Sequence, residues 1–300
     1  MKNLQTQHLK LVKQKMFLLL FCTLCTLIGN AQTNTWQGGS SGGFTNGSNW
    51  SLHAPQAGDT LVFNGNTSVT GVSTVSIAQI KLTGTASVSL QSLTGAKHTL
   101  TLTSTTTALS IPTGCTLDLA TGVAATDSMI VTISSTSTNT IAGNLILDST
   151  GLGKYGNTVN FNAGVTTVTG TITNGGVIVS NATNLVFGTS SSNLGNYVFN
   201  RVDGTGNISF PTANYTNANV TIQGISGSTI GQYNNVPISM NSYTINCPNL
   251  TTGRVQVNGI TSGNTVTIAK DFTITMGATS GSNLTTSANA YYFGANAVVN

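Results

Sequence analysis

The run Thr99-Leu100-Thr101-Leu102-Thr103 alternates hydroxyl and aliphatic side chains, and this alternation sets the character of the whole chain. It recurs in Thr116-Leu117-Asp118-Leu119, in Ile130-Val131-Thr132-Ile133 and in Thr265-Val266-Thr267-Ile268. A period of two places the aliphatic residues on one face of a β-strand and the polar residues on the other. No stretch after residue 31 shows the period or the caps of an amphipathic helix. The sequence therefore predicts an all-β protein.

Short turns that contain glycine separate these runs, as at Thr83-Gly84, Thr113-Gly114 and Thr169-Gly170. Glycine adopts positive φ angles at little steric cost, which suits tight turns. The strand–turn units follow one another more closely than in most β-sandwiches, and their polar faces are uncharged. We therefore predict a parallel β-solenoid (parallel β-helix) with about 20–25 residues per turn, in which Asn, Ser or Thr side chains stack in ladders. A β-sandwich is the alternative.

Charged residues are scarce: the 300 residues include 10 Lys or Arg, 6 Asp and no Glu, which is 5% of the chain. An average soluble domain has roughly 25%. Four of the lysines precede the apolar run that begins at Met16, so the rest of the chain has equal numbers of basic and acidic residues. This composition lacks the basic surface that nucleic-acid binding requires.

The first 31 residues have the pattern of a secretory signal peptide. A basic region ends at Lys15, an apolar run follows, and Gly29-Asn30-Ala31 supplies small residues at the cleavage site. We predict cleavage between Ala31 and Gln32. The apolar run is shorter than the about 20 residues that cross a bilayer, and no later segment is apolar enough. We expect an exported protein, secreted or at the cell surface, without a transmembrane segment.

Two cysteines, Cys115 and Cys247, remain after this cleavage. In a solenoid they lie several turns apart, whereas a disulfide needs Cα atoms within about 7 Å. We predict two unpaired thiols, buried as small apolar side chains.

Residues 35–63 carry a recognisable pattern: a Thr-Trp-x-Gly start, an Asn-Trp-Ser, a proline, and Gly-Asp followed by an apolar strand. The segment resembles the opening module of large secreted repeat proteins and adhesins of Bacteroidetes. Residues 219–224 and 265–275 are similar to turns of the same surface proteins. The resemblance implies a right-handed parallel β-helix at the cell surface or released from it. It also implies three regions: the signal peptide (1–31), an N-terminal cap module (32–70) and the solenoid (71–300), which we expect to continue beyond residue 300.

The cap prediction depends on large side chains in this module. Both tryptophans of the chain lie here, and a solenoid needs a cap because its end exposes an apolar core. The residues that we assign to the cap are Trp36, Phe44, Trp50, Pro55, Asp59 and Phe63. The alternative is an exposed aromatic platform that binds sugar.

A catalytic or metal site is not evident from the sequence. Glycoside hydrolysis needs two carboxylates at a defined separation, and no two aspartates are close in the sequence. Asp203-Gly204-Thr205-Gly206-Asn207 resembles part of a calcium loop but lacks the further carboxylates that calcium prefers. We therefore predict no catalytic residue, no metal and no cofactor. Carboxylates from distant turns, Asp118 or Asp203 among them, leave a carbohydrate-active enzyme as the rival function.

Three aspartates begin Asp-Ser/Thr triplets that resemble the O-glycosylation motif of Bacteroidetes. The hydroxyls concerned belong to Thr60, Ser128 and Ser149. We treat these three residues as candidate glycan-attachment sites.

These observations favour a non-enzymatic adhesin or a structural surface scaffold that contacts glycans or surfaces through its Thr, Ser and Asn side chains. A third function, ice binding, would need one Thr-x-Thr pair per turn at a fixed position. The Thr-x-Thr pairs, such as Thr171 and Thr173, occur at irregular intervals.

Overall fold

A computed structural model of the chain describes residues 32–148, 156–200, 207–225, 231–234, 237–249, 253–257, 265–276, 282–286, 290–293 and 298–299. The predicted signal peptide, including Ala31, lies outside these ranges, as do Ser149 and Asp203.

The described residues contain thirty strands, numbered in chain order, which form five sheets. The first sheet contains β1 Thr33–Thr35, β3 Thr60–Phe63, β6 Gln79–Leu82, β9 Leu109–Ile111, β12 Thr138–Ile141, β15 Val165–Val168 and β18 Leu185–Phe187. The second contains β2 Ser41–Gly43, β4 Thr67–Val72, β7 Ser87–Ser92, β10 Thr116–Ala120, β13 Asn144–Leu147, β16 Thr171–Asn174, β19 Gly195–Asn200, β21 Ala218–Gln223, β24 Ser242–Cys247, β27 Asp271–Met276 and β30 Val298–Val299. The third contains β5 Val75–Ile77, β8 Lys97–Leu102, β11 Ser128–Ile133, β14 Thr158–Asn160 and β17 Val177–Val179.

Two shorter sheets continue the walls in the second half of the chain. The fourth contains β20 Asn207–Ser209, β22 Gly231–Asn234, β25 Gly253–Val257 and β28 Ser282–Thr286. The fifth contains β23 Ser239–Met240, β26 Thr265–Ile268 and β29 Ala290–Phe293. A single 3-10 turn, Gly47–Asn49, is the only helical element in the described residues.

From β3 to β17, each turn of the chain contributes one strand to the first sheet, then one to the second and one to the third. Each strand pairs with the equivalent strand of the next turn, so neighbouring strands run parallel. This confirms the all-β parallel β-solenoid and rules out the β-sandwich, whose sheets are antiparallel. The first sheet spans about seven turns, and the second continues for four more strands. Turn length varies more than expected, from 19 residues between Thr60 and Gln79 to 31 between Leu100 and Val131.

The core consists of inward-facing side chains stacked in columns, one residue per turn. In the second sheet such a column begins with the aliphatic Leu117, Leu145 and Ile172. It continues as Tyr197, Val220 and Tyr243, so the filling changes from aliphatic to aromatic side chains along the solenoid. All these side chains are at most 1% exposed.

Glycines mark the corner between the first and second sheets. Gly143 and Gly170 directly precede β13 and β16, and Gly195 is the first residue of β19. Because these strands are paired in register, the three glycines stack on one another. A Cβ atom on Gly170 would lie 2.0 Å from the carbonyl oxygen of Gly143. The corner therefore excludes any side chain at this position.

Buried asparagines join successive turns. The Asn139 side chain accepts hydrogen bonds from the backbone N–H groups of Ala108 and Leu109, both at 2.9 Å, and donates to the carbonyl of Val165. Asn157 accepts from the N–H of Met129 and donates to the carbonyl of Leu119. These buried asparagines therefore tie neighbouring turns together mainly through backbone groups.

Candidate functional site

Four aromatic side chains fill the first turns of the solenoid. The rings of Trp36 and Trp50 meet edge to face with centroids 5.0 Å apart, and Phe44 and Phe63 pack on Trp50 at 5.8 Å and 5.7 Å. Edge-to-face contacts of this kind add to the stabilisation from burial.

Neither indole is available to stack on a sugar. Trp36 is 6% exposed and Trp50 is 3% exposed. Their ring N–H groups donate to the backbone carbonyls of Gly39 and Phe44 respectively. The alternative of an exposed aromatic platform is therefore wrong.

The segment after the 3-10 turn runs along the outer edge of β1. The N–H of Ser51 donates to the carbonyl of Thr35, and the N–H of Thr35 donates to the Ser51 hydroxyl. The N–H of Gln37 donates to the carbonyl of Asn49. These bonds satisfy backbone groups that an edge strand would otherwise leave open to another strand.

Asp59 organises the loop that holds Pro55. Its side-chain oxygen accepts from the backbone N–H of Gln56 at 3.0 Å and from the Asn34 side chain at 3.3 Å, and His53 Nδ1 lies 3.6 Å away. Asn34 also donates to the carbonyl of His53. Asp59 and Asn34 are buried, and Pro55 is half-buried.

Asp127 closes a turn with the same geometry as Asp59. Its backbone N–H donates to the carbonyl three residues earlier, Ala124, and its carboxylate accepts the N–H of Ala124 at 2.8 Å. The carboxylate also accepts the N–H of Gly95, in the preceding turn, at 2.7 Å. These backbone hydrogen bonds lower the pKa of Asp127.

This turn gives the Asp-Ser/Thr triplets a structural explanation. Ser128 is only 1% exposed, so the folded protein has no room for a glycan on its hydroxyl. Thr60 is half-buried at the start of β3, where its N–H donates to the carbonyl of Gln32. Ser149 lies outside the described residues.

The outward face of the second sheet carries small polar residues in columns of matching register. The first column is Ser87, Thr116, Asn144, Thr171, Asn196, Asn219 and Ser242. The middle column is Ser89, Asp118, Ile146, Thr173, Val198, Thr221, Thr244 and Thr273. The third column, in its later part, is Asn200, Gln223, Asn246 and Thr275.

The first column is bonded to itself. Asn219 donates to the Asn196 side-chain oxygen at 3.0 Å, and the Ser242 hydroxyl donates to that of Asn219 at 2.8 Å. Asn144 donates to the hydroxyl of Thr116 at 3.3 Å. These bonds stiffen one side of the outward face. They also occupy hydrogen-bonding groups of the first column that could otherwise contact a ligand.

Among the described strands of this sheet, Thr-x-Thr pairs occur at Thr171 and Thr173, in the first and middle columns, and at Thr273 and Thr275, in the middle and third columns. The two pairs are several turns apart and do not share the same columns. Ile146 and Val198 interrupt the middle column with apolar side chains. The array therefore does not have the regularity that we required for ice binding.

Two carboxylates share this face although 30 positions separate them in the sequence. Asp118 in β10 pairs with Ile146 in β13, and Asp148 directly follows that strand on the same side. Burial and the negative charge of Asp148 raise the pKa of Asp118 from 3.8 to about 6, while a hydrogen bond from Ser89 opposes the rise. The sequence did not reveal this proximity because it follows from the pairing of turns.

The two cysteines are free and buried, as predicted. They lie in different turns, and burial raises the pKa of Cys247 to about 11. An inert apolar role follows for both thiols.

A cleft of about 340 Å³ lies where the first sheet ends and the fifth begins. It is lined by Ala182, Ala213, Asn214, Tyr215, Thr216, Pro237, Ile238 and Ser239.

No group of three or more His, Cys, Asp or Glu side chains suited to a metal occurs among the described residues. Nor do those residues include a helix with the length and hydropathy of a membrane span. Searches of protein families, of curated proteins and of solved structures find no match to this chain.

Proposed function

We propose that the protein is an exported adhesin or structural surface scaffold without enzymatic activity, which contacts glycans or surfaces through its hydroxyl- and amide-rich exterior. The observation that carries this proposal is the register of the polar columns on the second sheet. A parallel sheet holds such side chains on a flat and stiff support. Many weak hydrogen bonds can then form at once with a repetitive partner.

The aromatic cluster fits the same role as a cap at residues 32–70. Four buried rings lie in the core at the first turn, and residues 49–51 form hydrogen bonds with the outer edge of β1, which supports this assignment. A closed end keeps a solenoid from adding strands of another molecule. Cleavage before Gln32 would begin the exported chain one residue ahead of β1.

The experiment is a combined binding and degradation screen. The purified chain from residue 32 to residue 300 is applied to a glycan array and incubated with a panel of polysaccharides. We expect binding without release of sugars. Absence of binding to every glycan and surface would contradict the proposal.

A second function, polysaccharide cleavage, is favoured by one observation. Asp118 and Asp148 share an exterior face, and a raised pKa such as that of Asp118 is a property of the general acid in glycoside hydrolysis. Degradation of a polysaccharide that is lost in both Asp118→Asn and Asp148→Asn would establish this function instead. Asp271→Asn, on the same sheet, is the matched control.

A further inference from the structure

One part of the second sheet leaves its hydrogen-bonding side chains unused. Thr221, Thr244 and Thr273 form the middle column there, beside Gln223, Asn246 and Thr275, and we call these six residues the open strip. Within the part of the chain that the structure describes, none of the six side chains forms a hydrogen bond. All six are half-buried or exposed.

We infer that the open strip binds a neutral, extended polysaccharide whose chain lies parallel to the solenoid axis; this inference rests on the proposed adhesive function. Threonine hydroxyls and side-chain amides both donate and accept hydrogen bonds, as sugar hydroxyls do. The strip itself contains no charge, so it offers nothing that selects an acidic sugar. Lys270 and Asp271, which are exposed at the start of β27, are of opposite sign.

The spacing of the strip determines the direction of the ligand. Successive residues in one column lie about 4.8 Å apart, the distance between hydrogen-bonded strands. This distance is close to the advance per sugar of an extended β-linked chain, so each sugar meets an equivalent side chain. A chain laid across the strands would meet only two polar residues before it left the strip.

The strip is also organised in advance. Threonine has few χ1 rotamers, and the bonded first column holds Asn219 and Ser242 along one side of the strip. A hydrogen bond to the protein replaces one to water and adds little net free energy, so a short sugar binds weakly. Affinity should therefore grow with the length of the glycan, as in other multivalent contacts.

The test is co-sedimentation of the purified chain with insoluble cellulose and chitin, which are neutral and β-linked. The test variant is T221V/T244V/T273V, which replaces hydroxyls by methyl groups of the same shape. The matched control is T99V/T101V/T132V on the third sheet, where three outward threonines are also half-buried. We expect the strip variant to bind at least tenfold more weakly and the control to bind as the unaltered chain does.

A second variant, Q223K/N246K, places long charged side chains in the strip and keeps the inference testable if the valine variant fails to fold. Thermal unfolding checks the fold of each variant. We also expect affinity for soluble fragments of the same glycan to rise from disaccharide to hexasaccharide, and added salt to change it little.

Several results would overturn the inference. They are equal binding by the strip variants, binding only to anionic polysaccharides, and sedimentation without any polymer, which would indicate contact with a second copy of the chain. If a glycan binds and the strip variants leave that binding unchanged, the adhesive function stands and only the assignment to the strip fails. If no glycan or surface binds at all, both fail.

Discussion

Two buried aspartates, Asp59 and Asp127, stabilise turns of this protein through hydrogen bonds to the backbone. Asp59 and Asp127 both accept the N–H of the residue three positions before them and so close the same kind of turn. Each also reaches another turn, through Asn34 and through the N–H of Gly95. A chain with few charges places two of them where a carboxylate can accept several backbone hydrogen bonds.

We predict that Asp127→Asn lowers the stability of the folded chain at neutral pH. The folded state lowers the pKa of Asp127, so the ionised group stabilises the fold above the ordinary pKa of 3.8. That contribution is lost as the pH falls through the lower pKa of the folded state. The difference between the two proteins in urea unfolding should therefore shrink below about pH 4. An equal difference at all pH values, or an equal effect of the exposed control Asp271→Asn, would contradict this.

Asp118 should behave in the opposite way. Its folded pKa of about 6 exceeds the ordinary 3.8, so the fold favours the protonated acid and loses stability as the pH rises between these values. We predict that Asp118→Asn melts at a higher temperature than the unaltered chain above pH 6 and at a similar temperature near pH 4. The measurement is thermal unfolding across this range. Ser89→Ala should lose more stability over this pH range than the unaltered chain does, because the Ser89 hydrogen bond lowers the pKa of Asp118.

At the scale of strands and turns, the period of two was enough to locate most strands. The run 265–275, for example, forms β26 and most of β27. The sequence does not predict which residues of successive strands pair, because turn length varies and a shift of register leaves the alternating pattern of each strand unchanged. This is why the proximity of Asp118 and Asp148 required the structure. Buried Asn34 and Asn139 were missed because an asparagine in an alternating run resembles a surface residue.

The glycine corner gives a prediction for this scale. We expect Gly170→Ala to destabilise the protein by about 3 kcal/mol, because the new Cβ would collide with the carbonyl of Gly143 and push two turns apart. Gly65→Ala is the matched control, since a Cβ there meets nothing within 4 Å. Urea unfolding measures both. Equal stability of the two variants would show that the corner can adjust.

For the molecule as a whole, we expect the cluster of four aromatic rings around Trp50 to keep the solenoid monomeric. We predict that Trp50→Ala costs about 4 kcal/mol and causes association, because it removes the packing beneath the segment that covers β1. Thermal unfolding and light scattering measure the two effects. Trp36→Phe, which keeps an aromatic ring in the cluster, should remain monodisperse. A monomeric Trp50→Ala protein would show that the edge of β1 is protected in another way.

The aromatic packing of the first turn also has a consequence for the order of events in folding. Its contacts lie within residues 34–63, and closing it buries four packed aromatic rings, whereas the turns that follow bury mainly aliphatic side chains. The strands of each later turn can then pair with strands that are already folded, and they provide the edge with which the next turn pairs. We expect pulsed hydrogen exchange during refolding to protect residues 34–63 first and β24 later. The solenoid would then fold one turn at a time, from the N-terminal side toward the C-terminal side, in the order in which the chain is synthesised.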